Sequence, residues 1–281
     1  LAEKTRPQVT ASSCRAAAMV PLRLQRANLK IFSEYLNEGK GKNMKPKRIL
    51  VCEDEDAIRD FVVIHLKRSG YEVIDVSCGE QALRLWEDGV RFDVAILDIM
   101  MPGMDGTQVC KYLREHSKTI GIIMLSAKSQ EMDKVGCLMM GADDYVTKPF
   151  SPSELVARVD AIYRRVSISQ PDADLSGDII TGPFFVDSKS RTIYKNGVPL
   201  ELTQVEYHIL EYFIRHRGSA IDRQTLISKI WGDGYYGDDK IIDVNIRRLR
   251  MKIEENPSEP LYIRTVWGYG YIWGEEEKEE E

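Results

Sequence analysis

Four consecutive apolar residues, Val94-Ala95-Ile96-Leu97, run directly into an aspartate, Asp98. A strand with no polar residue on either face must be covered on both sides. In soluble proteins that means the interior of a parallel sheet flanked by helices. The surrounding chain keeps the same grammar. Strand-like pieces at 48–52, 71–77, 94–97, 121–125 and 145–146 alternate with helix-like pieces at 56–69, 80–87, 107–116, 132–140 and 153–165. In the first helix Ile58, Phe61, Val62 and Leu66 share one stripe, and Gly70 ends it. This alternation predicts an α/β domain over 46–167, a five-stranded doubly wound parallel sheet with helices on both faces.

In such sheets ligands bind beyond the carboxyl ends of the strands. The polar residues at those ends are Glu53 and Asp54 after the first strand, Asp98 after the third, Ser126 after the fourth and Lys148-Pro149 after the fifth. Three carboxylates in one crevice repel each other. A hard, oxygen-seeking cation such as Mg²⁺ resolves the conflict. Ser126 adds a hydroxyl and Lys148 a fixed positive charge. The set suits a phosphoryl group made on Asp98, with the carboxylate as nucleophile and the cations neutralising its oxygens. Each residue alone reads as a solvated loop group; their convergence on successive strand tips carries the assignment.

Beyond a polar stretch at 168–176, read as a linker, the pattern changes. Short strand-like pieces at 184–186, 192–195 and 198–200 surround an Asn196-Gly197 turn. Helical stretches follow at 203–216, 223–231 and 239–254. Thr203 stands three residues before Glu206, the spacing of a capping box. Strands at 262–266 and 270–273 flank Trp267-Gly268-Tyr269. Three helices and a terminal hairpin predict an α+β winged-helix domain over 177–274. In the third helix Ile242, Ile246, Leu249 and Ile253 form an inward stripe. Opposite it lie Val244, Arg247, Arg248 and Met251, flanked by Asn245, Arg250 and Lys252. From 244 to 253 there are four cations and no carboxylate. A charged outer face alone is an ordinary solvated helix. One without acids fits the major groove of double-stranded DNA, where arginine reads guanine and asparagine reads adenine.

The net charge of −5 excludes nothing, because the tail 275–281 alone holds six glutamates against one lysine. Residues 1–45 show no strand or helix pattern and read as a leader; the tail reads as solvated. No apolar run approaches the roughly 18 residues of a membrane span. Cys14, Cys52, Cys78, Cys110 and Cys137 are odd in number and contain no CxxC pair, as expected of reduced thiols in a cytoplasmic protein.

Four segments make the resemblance specific. Val51-Cys52-Glu53-Asp54-Glu55, the run from Leu97 to Gly106 with Met100-Met101-Pro102-Gly103, Met124-Leu125-Ser126-Ala127, and the run from Gly141 to Phe150 are similar to the flavodoxin-like receiver domains of response regulators. The resemblance implies that Asp98 accepts phosphate from a sensor histidine kinase. It implies that Glu53, Asp54, Asp98 and the Met100 main-chain carbonyl hold Mg²⁺. It further implies that Lys148 pairs with the phosphate and that Ser126 and Tyr145 reorient as the switch. A homodimer through the fourth helix, fifth strand and fifth helix is implied as well, with Lys134, Asp143, Asp144, Glu154, Arg158 and Arg165 on that face. Asp243-Val244-Asn245-Ile246-Arg247-Arg248-Leu249-Arg250, Leu202 to Tyr207, and Tyr262 to Tyr271 resemble the DNA-binding domains of the OmpR/PhoB class. This implies major-groove contacts by Asn245, Arg248 and Arg250, backbone or minor-groove contacts by Arg264, Thr265 and the wing, and RNA polymerase as a further partner. Ser126, Glu53 and Trp267 stand where the families often have threonine, aspartate and arginine.

Taken together, these residues describe a transcription regulator gated by phosphorylation, with no enzymatic turnover beyond slow self-catalysed phosphorylation and dephosphorylation. Two rivals remain open at this point. An aspartyl-phosphate phosphatase would need a second acid two residues after the nucleophile, where this chain has Met100. A regulator working without phosphate would not need the acidic set.

Overall fold

The structure, a computed structural model, describes residues 47–127, 131–167, 177–233, 235 and 237–274, with the side chains of 131–134, 166 and 167 outside that description. The expected leader, linker and acidic tail fall outside the described residues.

Five strands, β1 (Arg48–Cys52), β2 (Glu72–Val76), β3 (Val94–Asp98), β4 (Gly121–Ser126) and β5 (Asp144–Thr147), form one sheet in the order β2-β1-β3-β4-β5. All its pairings are parallel. Every residue of β3 and β4 is buried, as the apolar run predicts. The helices α1 (Asp56–Arg68), α2 (Gly79–Glu87), α3 (Gly106–His116), α4 (Glu131–Met139) and α5 (Pro152–Ser167) alternate with these strands. The order turns from β1 toward β2 on one side and toward β3 on the other, so the loops after β1 and β3 open a crevice at the carboxyl edge.

The second half is built from two small antiparallel sheets and three helices. β6 (Ile179–Thr181), β7 (Phe184–Asp187), β8 (Thr192–Lys195) and β9 (Val198–Pro199) form a four-stranded meander. Asn196, with φ of 51°, and Gly197 close the β8–β9 hairpin in the left-handed region. Helix α6 (Gln204–Arg215) starts on the predicted capping box, with both the Thr203 and Glu206 side-chain bonds present. Helices α7 (Arg223–Trp231) and α8 (Lys240–Ile253) follow. The hairpin β11 (Ile263–Val266) and β12 (Gly270–Trp273) gains a third strand, β10 (Ala220–Asp222), which pairs with β12.

Two strands escape the sequence pattern. β6 and β10 have three residues each, too short for an alternation to register. They are fixed by pairing with other strands: Ile179 opposes Val186, and Ile221 opposes Tyr271. The core of this half is assembled around Phe184, Phe213, Trp231 and Trp273, all almost fully buried.

The two halves meet through α8. This helix packs along α4, and α5 packs against α6 and α7. The predicted inward stripe of α8 is indeed buried, but the opposite side is not free. Val244, Asn245 and Arg248 are buried as well. A helical wheel assigns them to solvent because it takes account of one buried side only; the receiver half supplies a second.

Candidate acidic site and DNA interface

The sheet brings Glu53, Asp98 and Lys148 into direct contact. Lys148 Nζ lies 2.7 Å from Glu53 Oε2 and 3.0 Å from Asp98 Oδ2. One oxygen from each of Glu53, Asp54 and Asp98 lies within 4.8 Å of the other two. Glu53 and Asp98 are buried, whereas Asp54 is exposed. Ser126 is buried at the end of β4, and its carbonyl accepts from the Lys148 main-chain N–H at 2.7 Å. That bond fixes the start of the segment carrying Lys148, whose peptide to Pro149 is cis. Met100 donates its N–H to Asp98 Oδ1 at 3.4 Å, and its side chain is exposed.

One ammonium faces three carboxylates, so the cluster remains short of positive charge. Burial pushes Glu53 up to about 7, against the pull of Lys148. Burial also raises Asp54. For Lys148, burial pulls downward, but Glu53 and Asp98 outweigh it and hold the ammonium above the usual lysine range. Glu53 Oε1 is buried and, among the described residues, accepts no hydrogen bond. A buried carboxylate oxygen left without a donor is costly unless a cation takes it. The donor set, all oxygen and anionic, fits a hard divalent ion.

Residues that hold this crevice lie partly in the Leu97 to Gly106 run and partly outside any quoted motif, as Arg59 and Glu80 do. Glu80 Oε1 accepts the N–H of Met104 at 3.0 Å and so ties the loop after β3 to α2. Gly103, with φ of +79°, turns that loop. Asp105 caps α3 through a capping box with Gln108. At Gly106 a Cβ would sit 2.0 Å from the Asp98 carbonyl oxygen, so only glycine lets α3 start this close to the acid. Arg59 Nη1 donates to the Glu53 carbonyl at 2.8 Å, fixing the loop from the α1 side. None of these residues carries the chemistry, which explains why charge and strand-end position alone assign them no role.

The predicted DNA-contacting residues divide into two groups. Arg247, Lys252 and Arg264 are exposed. Lys252 is nevertheless tied down, 2.6 Å from Glu206 Oε2. Arg250 is expected in the groove, but its Nη2 donates to Thr265 Oγ1 at 2.9 Å and its Nε to the Ile263 carbonyl at 2.9 Å. It staples the wing to α8, because both sit on the same edge of the domain. Asn245 donates to the Ile241 carbonyl at 2.8 Å within its own helix. Arg248 reaches into the receiver half, donating to the carbonyls of Leu138 at 3.3 Å and Ala142 at 3.2 Å. Its Nη2 lies 2.9 Å from Glu206 Oε1, as an ion pair whose angles are not those of a hydrogen bond.

The charged face expected for dimerisation also differs from expectation. Asp143, Asp144, Arg158 and Arg165 are buried rather than displayed. Asp143 pairs with Arg114 at 2.7 Å inside the receiver half. Arg158 bridges Asp144 at 3.1 Å and Glu154 at 2.9 Å. Tyr235 then covers the pair, donating to Asp144 Oδ1 at 2.8 Å beneath the Arg158 guanidinium. Tyr145 donates to Asp238 Oδ2 at 3.3 Å across the same seam. Arg165 stacks on Trp231 at 4.9 Å. The side chain of Lys134 lies outside the described residues. The loop between α7 and α8 supplies the covering groups, and no surface pattern in the receiver sequence could reveal them.

Comparison with known proteins agrees with both halves. The family described as response regulator receiver domain matches residues 49–160, and that described as transcriptional regulatory protein, C terminal, matches 197–273. The alkaline phosphatase synthesis transcriptional regulatory protein PhoP of Bacillus subtilis (strain 168) is 44% identical over 230 residues, which cover 80% of this chain and 95% of that protein. The sensory transduction protein RegX3 of Mycolicibacterium smegmatis is 41% identical over 223 residues, 79% of this chain and 97% of that one. Among solved structures, a mutant of RitR has a TM-score of 0.64 at 26% identity, covering 82% of this chain and 99% of that one. Among the described residues no helix is long and apolar enough to cross a membrane. A parallel-sheet receiver with its acid cluster, joined to a three-helix transcriptional domain and matched over almost the full length of two regulators, places the chain in the OmpR/PhoB class of two-component response regulators.

Proposed function

We propose that Asp98 is the phosphoacceptor through which a sensor histidine kinase controls binding of α8 to double-stranded DNA. The observation that carries this reading is the contact of Lys148 Nζ with Asp98 and Glu53 beside the donor-free Glu53 Oε1. An Asp98 carboxylate oxygen attacks phosphorus, the bond from phosphorus to the kinase histidine nitrogen breaks, and the imidazole leaves with the electron pair. Lys148 neutralises the phosphoryl oxygens in a site shielded from water. Mg²⁺ held by Glu53, Asp54, Asp98 and the Met100 carbonyl would supply the remaining positive charge. The exposed Asp54 leaves that side open to the incoming group.

Once phosphorylated, Ser126 and Tyr145 reorient, the seam with α8 loosens, and the face formed by α4, β5 and α5 pairs two copies. Lys134, Asp143, Asp144, Glu154, Arg158 and Arg165 then serve the dimer. Two linked winged helices gain effective concentration on tandem half-sites. Val244, Asn245, Arg247 and Arg248 face the major groove, with Arg250 holding the wing beside them; Lys252, Arg264 and Thr265 contact the backbone, and RNA polymerase meets the bound dimer.

The test is labelling with acetyl phosphate in Mg²⁺. Wild type takes up one phosphoryl group per chain and Asp98→Ala none. Equal labelling of the two proteins rejects Asp98 as the acceptor.

A further inference from the structure

The seam between the two halves contains groups that hold it closed and one that opposes closure. Arg248, Tyr235 and Asp238 hold it, through the carbonyls of Leu138 on α4 and Ala142 just after it, Asp144 and Tyr145 respectively. Arg165 opposes it. Its side chain stands at the end of α5, where α5 packs on α6 and α7, and it is only 4% exposed. Among the described residues its Nε, Nη1 and Nη2 all lack a hydrogen-bond partner. Five donor hydrogens on a permanent cation are thus withdrawn from water with no acceptor supplied.

The surrounding charges do not repair this. Asp143 gives Oδ2 to Arg114, and its Oδ1, though itself without a partner, forms no ion pair with Arg165. Asp144 is taken by Arg158 and Tyr235. Its other charged neighbour is a cation, Arg164, beside it in sequence. The compensation is partial: Asp143, Asp144 and Tyr235 attract the charge without accepting its hydrogens, and the face of Trp231 lies under the guanidinium, 4.9 Å away at the ring centroid. A cation over an aromatic face recovers only a part of what a buried, unpaired charge loses. Burial pulls the Arg165 pKa down to about 9, and Arg164 adds to this.

We propose that Arg165 is a release element: closing the two halves buries its guanidinium without an acceptor, so the closed form is loaded against itself and opens when the contacts of α8 and Tyr235 weaken. In the open form Arg165 leaves this enclosure for solvent or, in the phosphorylated protein, for the dimer face, and in either place its donors find acceptors. The load keeps the two forms close in free energy, which lets a modest change at the acidic site shift the population. Because Arg248 serves either α4 or a duplex, closure and DNA binding exclude each other. This last step rests on the reading of α8 as the DNA-binding helix.

The test compares full-length, unphosphorylated wild type with Arg165→Met, which keeps length and apolar contact but removes the charge, and with Tyr235→Phe, which removes one closing bond. Three measurements are made: melting temperature, radius of gyration by small-angle scattering, and affinity for a fluorescein-labelled mixed-sequence duplex at low salt. Arg165→Met is expected to melt higher, to scatter as a smaller particle and to bind the duplex at least about threefold more weakly; Tyr235→Phe is expected to expand and to bind more tightly. An Arg165→Met protein that melts lower than wild type, or keeps its radius, overturns the proposal, since the guanidinium would then stabilise the closed form or be indifferent to it. Stabilisation of wild type but not Arg165→Met by inorganic phosphate or sulfate also overturns it, by revealing an anion as the missing acceptor. If no protein binds duplex while the radii shift as expected, the release element stands and the DNA reading of α8 fails.

Discussion

Glu206 and Arg248 form an ion pair in which Oε1 and Nη2 are 2.9 Å apart, with Glu206 fully buried and Arg248 nearly so. The same carboxylate accepts the Thr203 N–H at 2.8 Å and takes Lys252 at 2.6 Å. One residue thus closes the cap of α6, anchors α8 and orients the arginine that crosses to the receiver. Burial raises the Glu206 pKa, but Arg248 and Lys252 outweigh it and hold the carboxyl below its usual range.

Replacing Glu206 by Gln keeps the volume and a cap acceptor but leaves the Arg248 guanidinium buried without its counter-charge. Removing one partner of a buried pair typically costs about 3–5 kcal/mol, well above the roughly 1 kcal/mol of a lost cap. Urea unfolding of Glu206→Gln should therefore show a loss of about 3 kcal/mol or more. A loss near the roughly 1 kcal/mol of a cap would mean that the cap, not the ion pair, is what Glu206 contributes.

At Gly106 the prediction concerns space. An added Cβ would meet the Asp98 carbonyl oxygen at 2.0 Å, which is main chain and has no rotamer to yield. Either α3 or the end of β3 must move, and β3 is the central strand of the receiver sheet. Overpacking of this kind costs about 1–3 kcal/mol. Gly106→Ala should lose stability on that scale and take up phosphate on Asp98 more slowly than wild type. Wild-type labelling kinetics in a destabilised protein would detach the acceptor's geometry from this contact.

These two positions mark what the sequence can and cannot disclose. Asp98 and Lys148 are legible because strand ends are predictable from apolar runs, and parallel topology then brings those ends together. The capping box at Thr203 and Glu206 is legible because it is local. The wider role of Glu206 is not, because its partners on α8 lie more than forty positions away. Val244, Asn245 and Arg248 mislead the wheel for the same reason: a helix between two domains has two buried sides, and a single-domain periodicity recognises one. Arg165 reads as a dimer-face residue in sequence and becomes a buried cation only when Trp231 closes over it.

His208 gives the stability a defined pH slope. Burial, with Arg191 and then Arg165 nearby, pulls it down to about 3. The unfolded chain binds that proton near pH ~6.5. Because the folded form resists protonation, its contribution is complete above pH ~6.5 and is lost as pH falls from there toward about 3. The slope is at most about 1.4 kcal/mol per pH unit from this group. Unfolding free energies measured between about pH 7 and about pH 5 should fall for wild type and fall less steeply for His208→Gln. Parallel curves would place the acid sensitivity elsewhere.

Trp267 is 91% exposed at the tip of the β11–β12 hairpin, an unusual place for the largest apolar side chain. The hairpin beneath it is held firmly. Arg250 bonds to Ile263 and Thr265 on one strand, and Arg223 donates to the Tyr269 carbonyl at 3.4 Å on the turn. A wing fixed in this way presents its tip at little cost in entropy, as DNA-binding wings that place an apolar wedge in the minor groove require. Trp231 and Trp273 are buried and Trp86 is covered by Arg91, so acrylamide quenching of the intrinsic emission reports chiefly on Trp267. Adding duplex should shield that emission. Trp267→Ala should keep its stability within about 0.5 kcal/mol, as befits an exposed site, and lose about tenfold in affinity. Quenching that is unchanged when the protein is saturated with duplex would leave the wing tip in water and remove Trp267 from the DNA interface.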